Sequence, residues 1–239
     1  SLVGGSYPAL VMSKMPALGL MKRWTGKNSL SEGIRKGLVI FQFTCSIVLI
    51  IGVMIMNRQM RYIGDKDLGY QPENVLSIPI TGISSIQQLE SLKQEFAALA
   101  GTKSVSAVQT YPGGGESGKN IHKPGAVGEG LPLKTNSSFN PITSTLGLHL
   151  IAGTDLPETI SETDSTGYLV INEVVAAYLG YSNPQDAIGQ RADITWMKDS
   201  EIKGVIRNFH FESLKENVGA YAFFKSNYPS EGYYYLLLN

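Results

Sequence analysis

Leu38 to Met56, LVIFQFTCSIVLIIGVMIM, runs 19 residues without a charge. A bilayer's hydrocarbon core is about 30 Å thick, and a helix rising ~1.5 Å per residue needs about 20 apolar residues to cross it. The alternative is the buried core helix of a soluble protein, but such helices are usually shorter and keep a polar stripe. Gln42 and Thr44 are polar, and a membrane helix tolerates them on a face packed against other helices. The run exceeds the apolar part of a cleaved signal peptide, and no A-x-A-like site follows it. A transmembrane helix over 38–56 is therefore expected, with Asn57, Arg58, Gln59 and Arg61 continuing it out of the bilayer.

Basic residues orient the span. Lys14, Lys22, Arg23, Lys27, Arg35 and Lys36 precede it, against Arg58, Arg61 and Lys66 after it. The positive-inside rule places the N-terminal side in the cytoplasm and everything after about residue 57 outside it. SLVGGSYPALVM at the start is either the tail of an earlier membrane helix or a loop. PALGLMKRW (16–24) suits the cytoplasmic membrane surface, and 25–33 reads as a connecting loop. The first residue is Ser and a strand-like run ends the chain, so a piece of a longer protein is expected.

Composition removes several classes of function. Lys+Arg and Asp+Glu both total 20, which gives no basic surplus for nucleic acid. Charged residues are 17%, below the roughly 25% of soluble domains. Cys45 is the one cysteine, so there is no intrachain disulfide and no cysteine zinc site. His122, His149 and His210 are scattered, and no metal ligand set is predicted.

From Gly69 the pattern becomes short strands and helices. NVLSIPI (74–80) reads as a strand, with Pro79 marking its end or an edge position. Ser85 and Gln88 form a capping box opening a helix with Ile86, Leu89, Leu92, Phe96 and Leu99 on one face and Gly101 as its stop. VSAVQTY (105–111) reads as a strand, and the Gly- and Pro-rich 112–135 as a long loop or an extended hairpin. YLVI (168–171) is a strand, and Asn172 caps the helix EVVAAYLG, which ends at Gly180. NPQDAIGQRADI (183–194) turns into a strand. EIKGVIRNFHFESL (201–214) and Tyr233 to Leu238 complete the set. The fold class this predicts is α+β, not a doubly wound parallel sheet.

YPGGGESGKN (111–120) imitates a nucleotide site. Gly113, Gly118 and Lys119 open a P-loop pattern, and Gly113, Gly115 and Gly118 spell G-x-G-x-x-G. Asn120 stands where a P-loop has Ser or Thr, and IHKPGAVGEGLP cannot form the helix whose N-terminus would hold the phosphates. The stretch is expected to be a surface loop tip without fixed order unless a partner binds it. His210 and Glu212, placed on one strand face, resemble an acid–base pair but lack a nucleophile or third group. Asp155, Glu158, Glu162 and Asp164 lack calcium-loop spacing. Asn136-Ser137-Ser138 matches a glycosylation sequon, and Cys45 reads as a packing residue of the span. No catalytic, cofactor-binding or metal residue is assigned, and no enzyme activity is expected.

GGSYPALVMSKMPALGLMK, then IRKGLVIFQFTCSIVLIIGVMIMNRQMRYI with DKDLGY, then IAGTDLPE, YLVINEVVAAYLGY, NPQDAIGQ and EIKGVIRNFHFESLKE follow in that order. In order and spacing these segments resemble the FtsX-like, MacB-type ABC transporter permeases, over nearly the whole chain. The resemblance implies that 1–37 ends a preceding permease half and its cytoplasmic loop. It makes 38–56 the first membrane helix of the next half and 57–68 a helical extension or linker. It makes 69–239 an extracytoplasmic domain of the MacB periplasmic-core type whose second lobe is C-terminally incomplete. It further implies a bacterial inner-membrane location among lipid and a separate or fused cytoplasmic ATPase subunit. A homodimer or pseudo-dimer of permease halves and a periplasmic partner belong to the same expectation. A membrane-tethered domain sensing an extracytoplasmic ligand is the alternative. A membrane-anchored hydrolase would need a nucleophile or metal cluster that the sequence does not offer.

Overall fold

The computed structural model describes residues 29–81, 85–126, 128–161, 163–227 and 234–239. The expectations for 1–28, namely the earlier helix tail, the membrane-surface segment and the start of the connecting loop, lie outside them, as does Glu162. The chain divides into two units, Ser1–Asp65 and Lys66–Asn239.

Among the described residues the first unit is one helix, α1 (Ser29–Gly64), of 36 residues. It is helical over residues 29–33, where a loop was expected, because SLSEG carries no proline and Glu32 stands in the first turn, where a carboxylate complements the helix dipole. At ~1.5 Å per residue α1 is about 54 Å long, more than a bilayer core requires. Its part Glu32–Gly64 is long and apolar enough to cross a membrane. Thr44 and Ser46 each donate a hydroxyl hydrogen bond to the carbonyl four residues back, which satisfies both within the helix.

The second unit is an α+β domain built on two sheets, as the order of strands and helices predicts. In the smaller, β1 (Leu76–Ile80) and β2 (Val105–Val108) flank the antiparallel β10 (Tyr234–Leu238). Pro79 thus lies on an edge strand, a position where a strand tolerates proline. α2 (Ile86–Ala97) covers one face, burying Leu89 with Val105, Ala107, Phe139 and Leu236. Ser85 caps it by accepting from the Gln88 amide. The helix stops before Leu99, which is 54% exposed, so Gly101 sits in the turn beyond the cap at Ala98.

The larger sheet has the order β5-β8-β6-β9-β4-β3-β7, with β7 also pairing β8. Its strands are β3 (Ser117–His122), β4 (Leu131–Ser137), β5 (Leu150–Gly153), β6 (Tyr168–Asn172), β7 (Arg191–Ile194), β8 (Met197–Ile206) and β9 (Ala220–Lys225). β8 is long enough to serve two partners on one edge, β7 along its first half and β5 along its second, while β6 takes the other edge. The β7–β8 pairing closes six of the strands on themselves and leaves β5 as the edge strand. Two short helices complete the domain, α3 (Ile142–Leu146) and α4 (Glu173–Leu179).

β6 and β9 are buried on both faces. Leu169, Ile171, Ala220, Ala222 and Phe224 join a core with α4, whereas Val170, Tyr221 and Phe223 join a second core with Phe209, Phe211 and α3. Asn172 links the two. Its Oδ1 accepts from Val175 N at 3.3 Å and Tyr221 N at 3.2 Å, and its Nδ2 donates to Gly219 O at 2.8 Å.

Candidate functional site

The domain's entry segment, residues 66–75, is held from several sides. Asp67 accepts from the Gly69 amide at 2.8 Å. His210 N donates to Leu68 O at 2.7 Å, and Gln71 N donates to Leu146 O at 2.8 Å. Gly69 has φ +81°, and a Cβ there would stand 2.9 Å from Asn208 O, so a side chain is barred by both strain and space. Tyr70 packs edge-on to Phe209 at 6.1 Å, and burial, then the Glu116 charge, raises its pKa.

The glycine stretch sits beside this segment. Tyr111 O accepts from Gly114 N at 2.8 Å, and the Glu116 carboxylate accepts from Gly113 N at 2.7 Å. A Cβ at Gly114 would lie 2.5 Å from Thr110 Oγ1, so the turn must pass without a side chain. At the glycines the chain makes a hydrogen-bonded turn. Gly118, Lys119 and Asn120 lie within β3, paired with β4 in an extended hairpin. A strand follows the glycines instead of a helix, which leaves no ring of free amides for phosphates.

Beneath the turn lies a buried polar network. Tyr221 is fully buried, and its pKa is pushed well up by burial and then by the Glu116 charge. Asn136 donates to Tyr221 Oη at 3.3 Å and to Thr110 O at 2.7 Å, and accepts from Thr110 N at 3.3 Å. Asn136 is fully buried, so in the folded domain the sequon's amide is not at the surface. The network escaped sequence reading because Tyr221 belongs to β9, a strand with no alternation to mark it.

The proposed His210–Glu212 pair does not share a strand face, since β8 ends at Ile206. His210 uses its backbone amide, and Glu212 pairs with Lys134 at 3.4 Å. Asp155 accepts from Thr143 N and Oγ1 at 2.8 and 2.6 Å, and Asp164 accepts from Tyr168 and Thr166, so both acids brace local structure. Among the described residues no cluster of three or more His, Cys, Asp or Glu could hold a metal ion.

A cleft of about 270 Å³ beside α2 is lined by Ile86, Glu90, Phe139, Glu158, Lys225 and Ser226, among others. Lys225 Nζ lies 3.6 Å from Glu90 and 4.8 Å from the Phe139 ring centroid, and donates to Glu158 O. Burial lowers the Lys225 pKa, and Glu90 opposes that shift. Glu90 also meets Lys93 of the same helix at 3.4 Å, so one carboxylate serves two ammonium groups and ties α2 to β9 through Lys225. Nothing in the sequence joins Glu90 to Lys225; only the fold does.

No family model matches the chain, and no curated protein matches it. Solved structures do. The chain is similar to the extracellular domain of the noncanonic ABC-type transporter YknZ from Gram-positive bacteria, at 12% identity and TM-score 0.43, over 69% of this chain and 83% of that one. It is similar to the periplasmic region of MacB from Actinobacillus actinomycetemcomitans, at 11% identity and TM-score 0.43, over 70% and 74%. It is also similar to a domain of a putative permease protein from Porphyromonas gingivalis, at 15% identity and TM-score 0.40, over 69% and 72%.

Proposed function

We propose that this chain is part of the permease component of an ABC transporter of the export or mechanotransmission type. Its domain from Lys66 onward is extracytoplasmic and couples ATP-driven movement of the membrane helices to the handling of a substrate or partner. The observation that carries this reading is the continuity of α1. One unbroken helix contains the uncharged run and ends at Gly64, directly before the Asp65/Lys66 boundary of the domain. The 57–64 part adds about 12 Å of stiff helix beyond the span. In this reading a shift of the helix reaches the domain at residues 66–71. Those residues are fastened to the domain by the His210 and Leu146 hydrogen bonds and by the Gly69 approach. Coupling of this kind needs two states that the nucleotide and the far-side partner stabilise differently.

The ATPase is a cytoplasmic subunit, separate or fused, and the working unit is a homodimer or a pseudo-dimer of permease halves in the bacterial inner membrane. The test is copurification with a P-loop ATPase from the same host. ATP hydrolysis by that subunit is expected to change when this chain is bound. Stable isolation with no such subunit, or hydrolysis indifferent to this chain, overturns the reading.

A further inference from the structure

We propose that the glycine turn at 112–116 is mechanically coupled to the entry segment at 68–71, so that a displacement of Leu68–Gln71 repositions the exposed turn. The function proposed above supplies only the source of that displacement; the coupling is a property of the domain itself.

Two independent bridges carry it. The first is the Glu116 carboxylate. It accepts from Gly113 N inside the turn, and its charge acts on the buried Tyr221 hydroxyl and on Tyr70 in the entry segment. Asn136 extends this bridge by holding the Tyr221 hydroxyl and both backbone groups of Thr110, where the turn begins. The second is the 207–211 loop. His210 N holds Leu68 O, and the next residue presents its carbonyl to the turn, 3.3 Å from where a Gly113 Cβ would stand. The Phe211 ring lies 4.6 Å from Tyr221 and 5.5 Å from Phe209, which in turn packs on Tyr70.

The turn itself is suited to move. Gly113, Gly114 and Gly115 are exposed and bring no side chains to the core. Its position therefore depends on Glu116 and on the Tyr111 ring, which packs on Tyr235 at 5.5 Å. Segments with little buried apolar surface open at low free energy and follow their anchors.

Hydrogen–deuterium exchange on the full chain in lipid nanodiscs tests this, with no ATPase present. Failure here leaves the transporter reading standing, and failure of copurification leaves the coupling standing. Glu116→Gln keeps the side chain's size and removes its charge. It is expected to speed exchange about fivefold at 113–116, and about as much at Gln71 and His210, the scale set by replacing a charge-assisted hydrogen bond with a neutral one. Tyr70→Phe is expected to speed exchange at 113–116, with α4 unchanged in both variants. An effect confined to the substituted segment, or none at either, overturns the proposal. Should Glu116→Gln also loosen α4, Tyr70→Phe, which keeps the ring on Phe209, decides by the same criterion.

Discussion

Isoleucine and valine meet opposite fates in the two units. Ile47, Val48 and Ile50 of α1 are 54%, 62% and 60% exposed, whereas Ile121, Ile171 and Ile202 of the domain are fully buried. The domain hides its apolar residues by pairing β7 with β8 and stacking α2 and α4 on the sheets. α1 has no sequence partner of that kind among the described residues. A contiguous apolar surface of that size would drive association in water. On the function proposed here, hydrocarbon takes the role that side chains play in the domain. The lesson is that apolar content alone does not separate the two cases; the absence of charge over a bilayer's length does.

The largest effect should come from the domain's core. Phe209→Ala removes the ring shared by Tyr70, Phe211, Tyr221 and Phe223. A loss of about 3–5 kcal/mol is expected, seen as a lower urea midpoint in near-UV circular dichroism of the chain in detergent. An unchanged midpoint would refute the placement of that core. Ile50→Arg applies the matching stress to α1. It should cost about 2.5–3.5 kcal/mol of insertion, releasing chain on carbonate extraction, while the domain's midpoint stays put. If the midpoint falls instead, α1 is a soluble core helix and the contrast collapses.

Asn172→Ala should cost about 1–3 kcal/mol, because it strips a helix cap and leaves buried partners unpaired. Ser85→Ala, at a cap with more solvent around it, should cost about 1 kcal/mol by the same measurement. The smallest effect concerns pH. The hydrogen bond to Asp164, then burial, pushes the Tyr168 pKa up to about 12 from an ordinary 10.0. Folding therefore favours the protonated phenol, so its contribution is full below about pH 10 and lost as pH rises through about 12. The gap in urea midpoint between the wild type and Tyr168→Phe should accordingly narrow over that window, and a constant gap would refute the link.

Local signals were legible where one residue fixes a boundary. Ser85 and Asn172 cap the helices they were expected to cap, Gly180 ends α4 in the left-handed conformation, and Pro79 lies on an edge. The AYAFFK run of β9 was not legible, because both faces of that strand are buried and no alternation marks it. α3, with five residues, is too short to show a helical period. The glycine stretch imitated a phosphate loop in its spacing, but the missing helix after it told against that reading, and its conformation is a tight turn against Thr110.

The sequence by itself determined the uncharged span, the α+β class and the helix caps, since each rests on contacts within a few residues or on composition over a fixed length. Only the tertiary structure decided the closing of the larger sheet, the Glu90–Lys225 tie and the burial of Asn136 beneath the glycine turn. Those depend on which strands pair across dozens of residues, and pairing is settled by how whole faces pack, which no local pattern records.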